Sequence, residues 1–251
     1  MEILKCAQGS PEWVEARLGK ATGSNAKRIM TPTTMTLSAQ AKDYACELVG
    51  DELVAGPDPW RWEGETADMA RGTFTESKAR KWYQLERDVD VECVGLCIHE
   101  NGRWAVSPDG LVLVDGGLEI KCPARKTHIR WILDGRVPAE HLPQVHHSLI
   151  VTGRKWWDWM SYYVGLPPLL VRVFPNEYTK TYLGFLEKFD RMRDEIMEKV
   201  LAQRQVTIGQ ALARKGDQLS DADRSLVPPA NQWGNGDPDP FGPGEYEPQL
   251  F

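Results

Sequence analysis

Ser107-Pro108-Asp109-Gly110-Leu111-Val112-Leu113-Val114-Asp115-Gly116-Gly117-Leu118-Glu119-Ile120-Lys121-Cys122-Pro123 is the stretch on which the reading of this chain turns. Apolar runs at 111–114 and 118–122 flank Asp115-Gly116-Gly117 and predict strand, tight turn, strand. Residues two apart on a strand share a face. Leu118, Ile120 and Cys122 therefore form an apolar face, while Glu119 and Lys121 project together from the other. The hairpin returns Glu119 towards Asp109 at the sheet edge. Two carboxylates with a backbone carbonyl make a hard oxygen site suited to Mg²⁺ or Mn²⁺. Such an ion polarises a phosphoryl oxygen and acidifies a bound water, and the Lys121 ammonium offsets charge growing on the phosphate. This inventory fits phosphodiester hydrolysis. It fits acyl transfer poorly: a hydrolase built on Cys122 and His128 lacks an acid partner, and Cys122 is expected on the apolar face. Singly, an Asp-Gly is a turn signal and a Glu-x-Lys is a solvated pair. Their combination carries the functional reading.

Outward from the hairpin the pattern alternates. Helices are expected at 10–19, 23–30, 38–54 and 65–87, the first opened by a Ser10 cap and Pro11. Strands are expected at 89–99 and 103–106. Then come helices at 124–133 and 138–151, strands at 155–164 and 169–174, and a long helix at 176–203. This order predicts an α/β (α+β) fold with a mixed central sheet flanked by helices on both faces.

The chain has 251 residues, with 30 Lys+Arg against 36 Asp+Glu, a formal net charge of -6. Residues 205–251 hold three basic and seven acidic groups, so -4 of that charge sits there and the body is nearly neutral. A basic groove on the body is therefore compatible with the acidic total. Residues 227–251 contain six prolines and four glycines and read as a disordered acidic tail. The division expected is a catalytic domain at 1–204, a linker with room for one short helix at 205–226, and that tail. The tail's end, Glu245-Tyr246-Glu247-Pro248-Gln249-Leu250-Phe251, is either a docking motif or a plain solvating segment. No apolar run reaches the ~20 residues of a membrane span. The start Met1-Glu2-Ile3-Leu4-Lys5 lacks the pattern of a secretory signal, and five scattered cysteines suggest neither a disulfide framework nor a zinc ribbon. A soluble protein of a reducing compartment is expected.

Asp109, Glu119 and Lys121 resemble the signature of the PD-(D/E)xK nuclease superfamily. With its flanks the stretch is similar to the lambda exonuclease, or YqaJ-type viral recombinase, family. Trp13-x-x-x-Arg17-Leu18-Gly19-x-x-Thr22-x-Ser24 resembles that family's N-terminal motif. Arg71-Gly72 followed by Glu76 resembles its mid-helix motif, and Gln144-Val145 its later glutamine element. The resemblance covers roughly residues 8–203 and implies a restriction-endonuclease-like core. It implies that Asp109 and Glu119 hold the catalytic Mg²⁺ (or Mn²⁺), with the Ile120 carbonyl as a further ligand, while Lys121 positions the attacking water. Glu76 takes an additional acidic position, beside a second metal or a metal-bound water. Gln144 contacts the lysine or the scissile phosphate. Arg17 and Ser24 hold the terminal 5′-phosphate of DNA; read without the resemblance, Arg17 simply closes its helix against the dipole. His146 and His147 depart from the glutamine and aromatic residues frequent in relatives, and as helix neighbours they point about 100° apart, which makes no zinc site.

The activity so implied is metal-dependent 5′-to-3′ exonucleolytic digestion of one strand of double-stranded DNA to 5′-mononucleotides, leaving 3′ overhangs for phage-type strand annealing. The implied setting is a homotrimer around DNA, a single-strand annealing recombinase as partner, and the cytoplasm of a bacterial host as a phage or prophage product. Contacts to the DNA backbone are expected among Lys126, Arg130, Arg136, Arg154 and Lys155. Trp156, Trp157 and Trp159 are expected in the core or at a subunit interface. Two competing readings are an endonuclease of the same superfamily, which needs no 5′-phosphate pocket, and an inactive DNA-end-binding protein.

Overall fold

The computed structural model describes residues 1–54 and 67–215, the side chains of 67–74 and 208–215 excepted. The expected tail at 227–251, the linker beyond residue 215 and the side chain of Arg71 lie outside the described residues. In chain order the elements are β1 (Glu2–Leu4), α1 (Pro11–Arg17), β2 (Ala21–Thr22), a 3₁₀ helix (Gly23–Arg28), α2 (Ala41–Leu53), α3 (Ala67–Arg87), β3 (Val91–Glu92) and β4 (Leu96–Ile98). There follow β5 (Trp104–Val106), β6 (Gly110–Val112), β7 (Gly116–Lys121), α4 (Arg125–Asp134), a 3₁₀ turn (Ala139–His141), α5 (Leu142–Thr152), β8 (Trp156–Ser161), β9 (Leu169–Val173) and α6 (Glu177–Lys215).

The fold is mixed α/β, and its strands divide between two mixed sheets flanked by helices. One has the order β1-β4-β5-β2 and the other β3-β6-β7-β8-β9. The sequence pattern had joined 89–99 into a single strand. Instead the chain changes sheet between Glu92 and Leu96. The reason lies at Gly95, whose amide donates to Leu4 O at 3.0 Å. A Cβ there would sit 2.4 Å from Cys6 O, so only glycine lets the N-terminal strand close against this crossing point.

The central hairpin also differs in detail. Its turn is formed by Leu113, Val114 and Asp115, while Gly116 and Gly117 belong to β7. They pair in register with Trp156 and Trp157 of the parallel strand β8. A Cβ at either position would lie 2.1–2.2 Å from an indole. The glycines are there to seat two tryptophans rather than to bend the chain.

β7 is covered on both sides. Leu118 and Ile120 pack with Met160 against Ala79 and Tyr83 of α3. Each such buried aliphatic side chain contributes about 1.5–3 kcal/mol. Trp157 and Trp159 point into the larger core, with Trp131 of α4 and Val145 and Leu149 of α5. Asp158, fully buried on β8, is neutralised in place. Arg172 of β9 reaches it with two hydrogen bonds of 2.8 and 2.9 Å, and the Tyr83 hydroxyl donates to it at 2.7 Å. Pairing of this kind is what makes a buried carboxylate tolerable, and here it also ties α3 to the sheet.

α6 continues to Lys215, past the expected end at 203. Its Arg193, 1% exposed, donates to Gly19 O at 2.5 Å and to Glu52 of α2. That link fixes the turn after α1, where Gly19 adopts a left-handed φ of 66°.

Candidate active site

Asp109 is held across the hairpin by two bonds. Its amide donates to Leu118 O at 3.2 Å, and its Oδ2 accepts from the Ile120 amide at 2.5 Å. The same pairing brings Glu119 and Lys121 round to it. Lys121 Nζ lies 2.5 Å from Glu119 Oε1, and Gln144 Nε2 of α5 donates to that oxygen at 2.7 Å. Glu119 is 3% exposed, and its other oxygen, Oε2, is buried without a hydrogen-bond partner. From α3, Arg80 donates to Glu76 and, through Nε, to Asp109 O at 2.8 Å. The structure thus gathers Asp109, Glu119, Lys121, Gln144 and Glu76 at one end of β7.

The charges are coupled. Burial, and then the negative charges of Glu119 and Glu76, push the Asp109 carboxyl well above the usual carboxylate range. Glu76 is also raised, first by burial, with Arg80 opposing and Glu119 adding to the rise. Burial works against the Lys121 ammonium, but Glu119 and Asp109 outweigh it and its pKa is raised. Lys121 therefore stays a cation throughout the neutral range. The cluster is an excess of carboxylate oxygens in a poorly solvated place, one of them unsatisfied. A buried anionic oxygen without a partner is costly, and an added hard cation relieves it. The donor types fit a divalent ion held by Asp109, Glu119 and the Ile120 carbonyl. No group of three or more His, Cys, Asp or Glu suited to a metal occurs among the described residues.

Arg17 and Ser24, seven residues apart, are also brought together. Arg17 ends α1 and stacks over the Trp13 ring at 3.9 Å. Its Nη2 donates to Ser24 Oγ at 3.5 Å and its Nη1 to Ser107 Oγ at 3.4 Å. Ser107 also accepts from Trp13 Nε1 at 2.8 Å. A cavity of about 220 Å³ runs from Ser24 to Lys121 and Gln144, lined by Gly23, Ser24, Lys27, Lys121, Glu140, His141 and Gln144. Gly23 lies close against its neighbours: a Cβ there would press on Val106 at 3.3 Å and touch Gln144 at 3.6 Å. His141 rests against Trp131 and Trp159 and is pushed down to about 3 by burial, then by Lys121 and Lys27, so it is neutral.

Sequence reasoning missed Ser107, Arg80, Lys27, Glu140 and His141. A signal existed for the first two: Ser107 opens the decisive motif, and Arg80 follows Glu76 by one helical turn. Other expectations meet different outcomes. Arg154, a candidate DNA contact, spends its Nη1 on Val112 O, Leu113 O and Gly116 O, bracing the hairpin. Lys155 pairs with Asp115 at 2.9 Å. His146 bonds Thr179, whereas His147 bonds Tyr182 and Ala105 O. Burial raises the Cys122 thiol to about 11, and His128 is buried between Ser161 and Pro167 O, which removes the cysteine-hydrolase reading. Trp157 and Trp159 are core residues.

The profile of the YqaJ-like viral recombinase domain matches residues 12–155. Among solved structures, the chain is similar to an alkaline exonuclease from Laribacter hongkongensis (LHK-Exo). Identity is 31% over 77% of this chain and 100% of that one, with a TM-score of 0.63. The same enzyme in complex with dAMP aligns at 32% identity over the same shares, with a TM-score of 0.62. A phage related exonuclease from Haemophilus somnus 129PT shares the fold at 14% identity, over 72% of this chain and 96% of that one, with a TM-score of 0.53. No curated protein sequence matches the chain.

Proposed function

This chain belongs to the family of YqaJ-like viral recombinase domains and has a nuclease-like fold, and from that premise we propose a Mg²⁺-dependent 5′-to-3′ exonuclease. It degrades one strand of double-stranded DNA from its end to 5′-mononucleotides and leaves a 3′ overhang. The single observation that carries this reading is the state of Glu119. One of its oxygens takes both Lys121 and Gln144, while the other is buried and unpartnered, and its charge is felt by Asp109.

Asp109, Glu119 and the Ile120 carbonyl would hold the divalent ion, Mg²⁺ or Mn²⁺. When bound, that ion supplies Lewis acidity to the phosphoryl oxygen and acidity to water. The chain's own groups do the rest. Arg17 and Ser24 bind the terminal 5′-phosphate, the guanidinium forking onto its oxygens. That contact presents the next phosphodiester to the carboxylate end of β7. The Lys121 ammonium, steadied by Glu119, donates a hydrogen bond to the attacking water and meets the charge that develops on phosphorus. The water oxygen bonds to phosphorus, the bond from phosphorus to the 3′ oxygen of the terminal nucleotide breaks, and that oxygen leaves with a proton. The new 5′-phosphate stays on the shortened strand. Gln144 fixes the Glu119 carboxylate, and Arg80 pairs with Glu76 beside the cluster.

We extend the reading to a homotrimer acting on double-stranded DNA ends, in the cytoplasm, with a single-strand annealing recombinase as partner; these rest on resemblance. No helix among the described residues is long and apolar enough to cross a membrane. The test is a gel assay on linear duplex labelled at the 5′ or the 3′ end, with Mg²⁺ or with chelator. Label released at once as mononucleotide from the 5′ end, only with metal, supports the reading. Internal fragments from a closed circular duplex would support an endonuclease instead, and end binding without any release would support an inactive binder.

A further inference from the structure

We propose that Lys27 is a second phosphate-binding cation of the cavity beside the carboxylates, matched to a terminal 5′-phosphate monoester, so that end selection rests on two positive charges. This deepens the function proposed above and rests on its assignment of Arg17 and Ser24 to the terminal phosphate. Residues 23–28, part of the helix expected at 23–30, form a 3₁₀ helix. At three residues per turn, side chains at i and i+3 eclipse. Ser24 and Lys27 therefore stand on one face, and both line the cavity with Lys121 and Gln144. Lys121 is matched there by Glu119 at 2.5 Å. The Lys27 ammonium makes no hydrogen bond or ion pair among the described residues. Its charge is felt inside the cavity: His141, lowered first by burial, is lowered further by Lys121 and then by Lys27. Glu140, the cavity's one carboxylate, is 60% exposed at its side chain and screened by solvent.

The charge count then selects the ligand. A phosphate monoester carries about −1.5 to −2 at neutral pH, against one negative charge for an internal diester. Arg17 supplies one positive charge, already oriented by Ser24, Ser107 and Trp13. Lys27 supplies the second on a flexible stem that needs no fixed geometry. An internal diester or a 5′-hydroxyl end leaves that second cation unused.

The experiment compares wild type, K27A and K27R on linear duplexes with 5′-phosphate or 5′-hydroxyl ends. It also measures binding of thymidine 5′-monophosphate and of thymidine in chelator. The expected result is a roughly tenfold fall in the 5′-phosphate to 5′-hydroxyl ratio of kcat/KM for K27A. A similar loss of monophosphate affinity should accompany it, with thymidine binding unmoved and K27R restoring most of the ratio. An unchanged ratio, or an equal loss on both kinds of end, would overturn the assignment. If the wild type released no nucleotide from any end, the proposed function would fall. The monophosphate titration would still report whether Lys27 meets a phosphate.

Discussion

Replacing Asp109 by Asn should destroy activity and yet make the protein more stable. The Asp109 carboxyl is pushed up by burial and then by Glu119 and Glu76. In the unfolded chain the same group ionises near pH 4, by about its ordinary value. Between those two pKa values the folded protein holds a proton that the unfolded chain has lost. Stability therefore falls as pH rises through that window, and above it the full cost remains. An Asn side chain still accepts the Ile120 amide through its carbonyl oxygen but carries no charge to repel its neighbours. Uncompensated buried polar or charged oxygen costs about 1–3 kcal/mol. Asp109 keeps partial solvent contact, so the lower part of that range applies. D109N should gain about 1–2 kcal/mol at pH 8 in EDTA, a rise of roughly 2–8 °C in Tm. The gain should vanish near pH 3, where both forms are uncharged. Added Mg²⁺ should raise the Tm of the wild type and leave D109N unmoved, because a ligand that binds only the native state stabilises it. Thermal melts across pH, with and without metal, measure all three. A D109N protein that melts below wild type at pH 8 in EDTA would refute the view of this cluster as a store of carboxylate repulsion.

Lys121→Ala should lower nucleotide release by at least about 100-fold while duplex-end binding in Ca²⁺ persists, since its charge is needed chiefly in the transition state; release rates and anisotropy separate the two. Arg17→Ala should reduce the preference for 5′-phosphorylated ends, read as a ratio of kcat/KM, and an undiminished ratio removes the pocket. Gly117→Ala places a methyl 2.2 Å from the buried Trp157 ring, an overpacking expected to cost about 1–3 kcal/mol and visible as a lowered Tm.

The convergence of the candidate site residues was legible because it obeys local rules. Asp109, Glu119 and Lys121 are set by strand periodicity and one hairpin, and Ser10 capped the first helix as its chemistry required, accepting the Trp13 amide at 3.2 Å. What escaped the sequence depends on partners distant along the chain. Gly116 and Gly117 resemble turn residues until the tryptophans of β8 are laid beside them. Gly95 looks like an interruption until the chain near Cys6 crosses it. The helix expected at 176–203 runs on to Lys215, through Val206, Thr207 and Gly209, residues of low helix propensity. Lys27 and His141 face one cavity from positions 114 residues apart (27 to 141), and no local pattern announces that.

Ser107 has a consequence for how the strand is shortened. Its hydroxyl receives both Trp13 and Arg17, and its own peptide leads through Pro108 directly to Asp109. In the proposed reaction the anchor for the end and the cutting carboxylate are thus joined through one short stretch of chain. That stretch would hold the spacing between the bound terminus and the linkage being cut constant from one cycle to the next. Each cut creates a fresh terminus that must slide forward by one fixed increment to reach the anchor, so the products should be uniform in length.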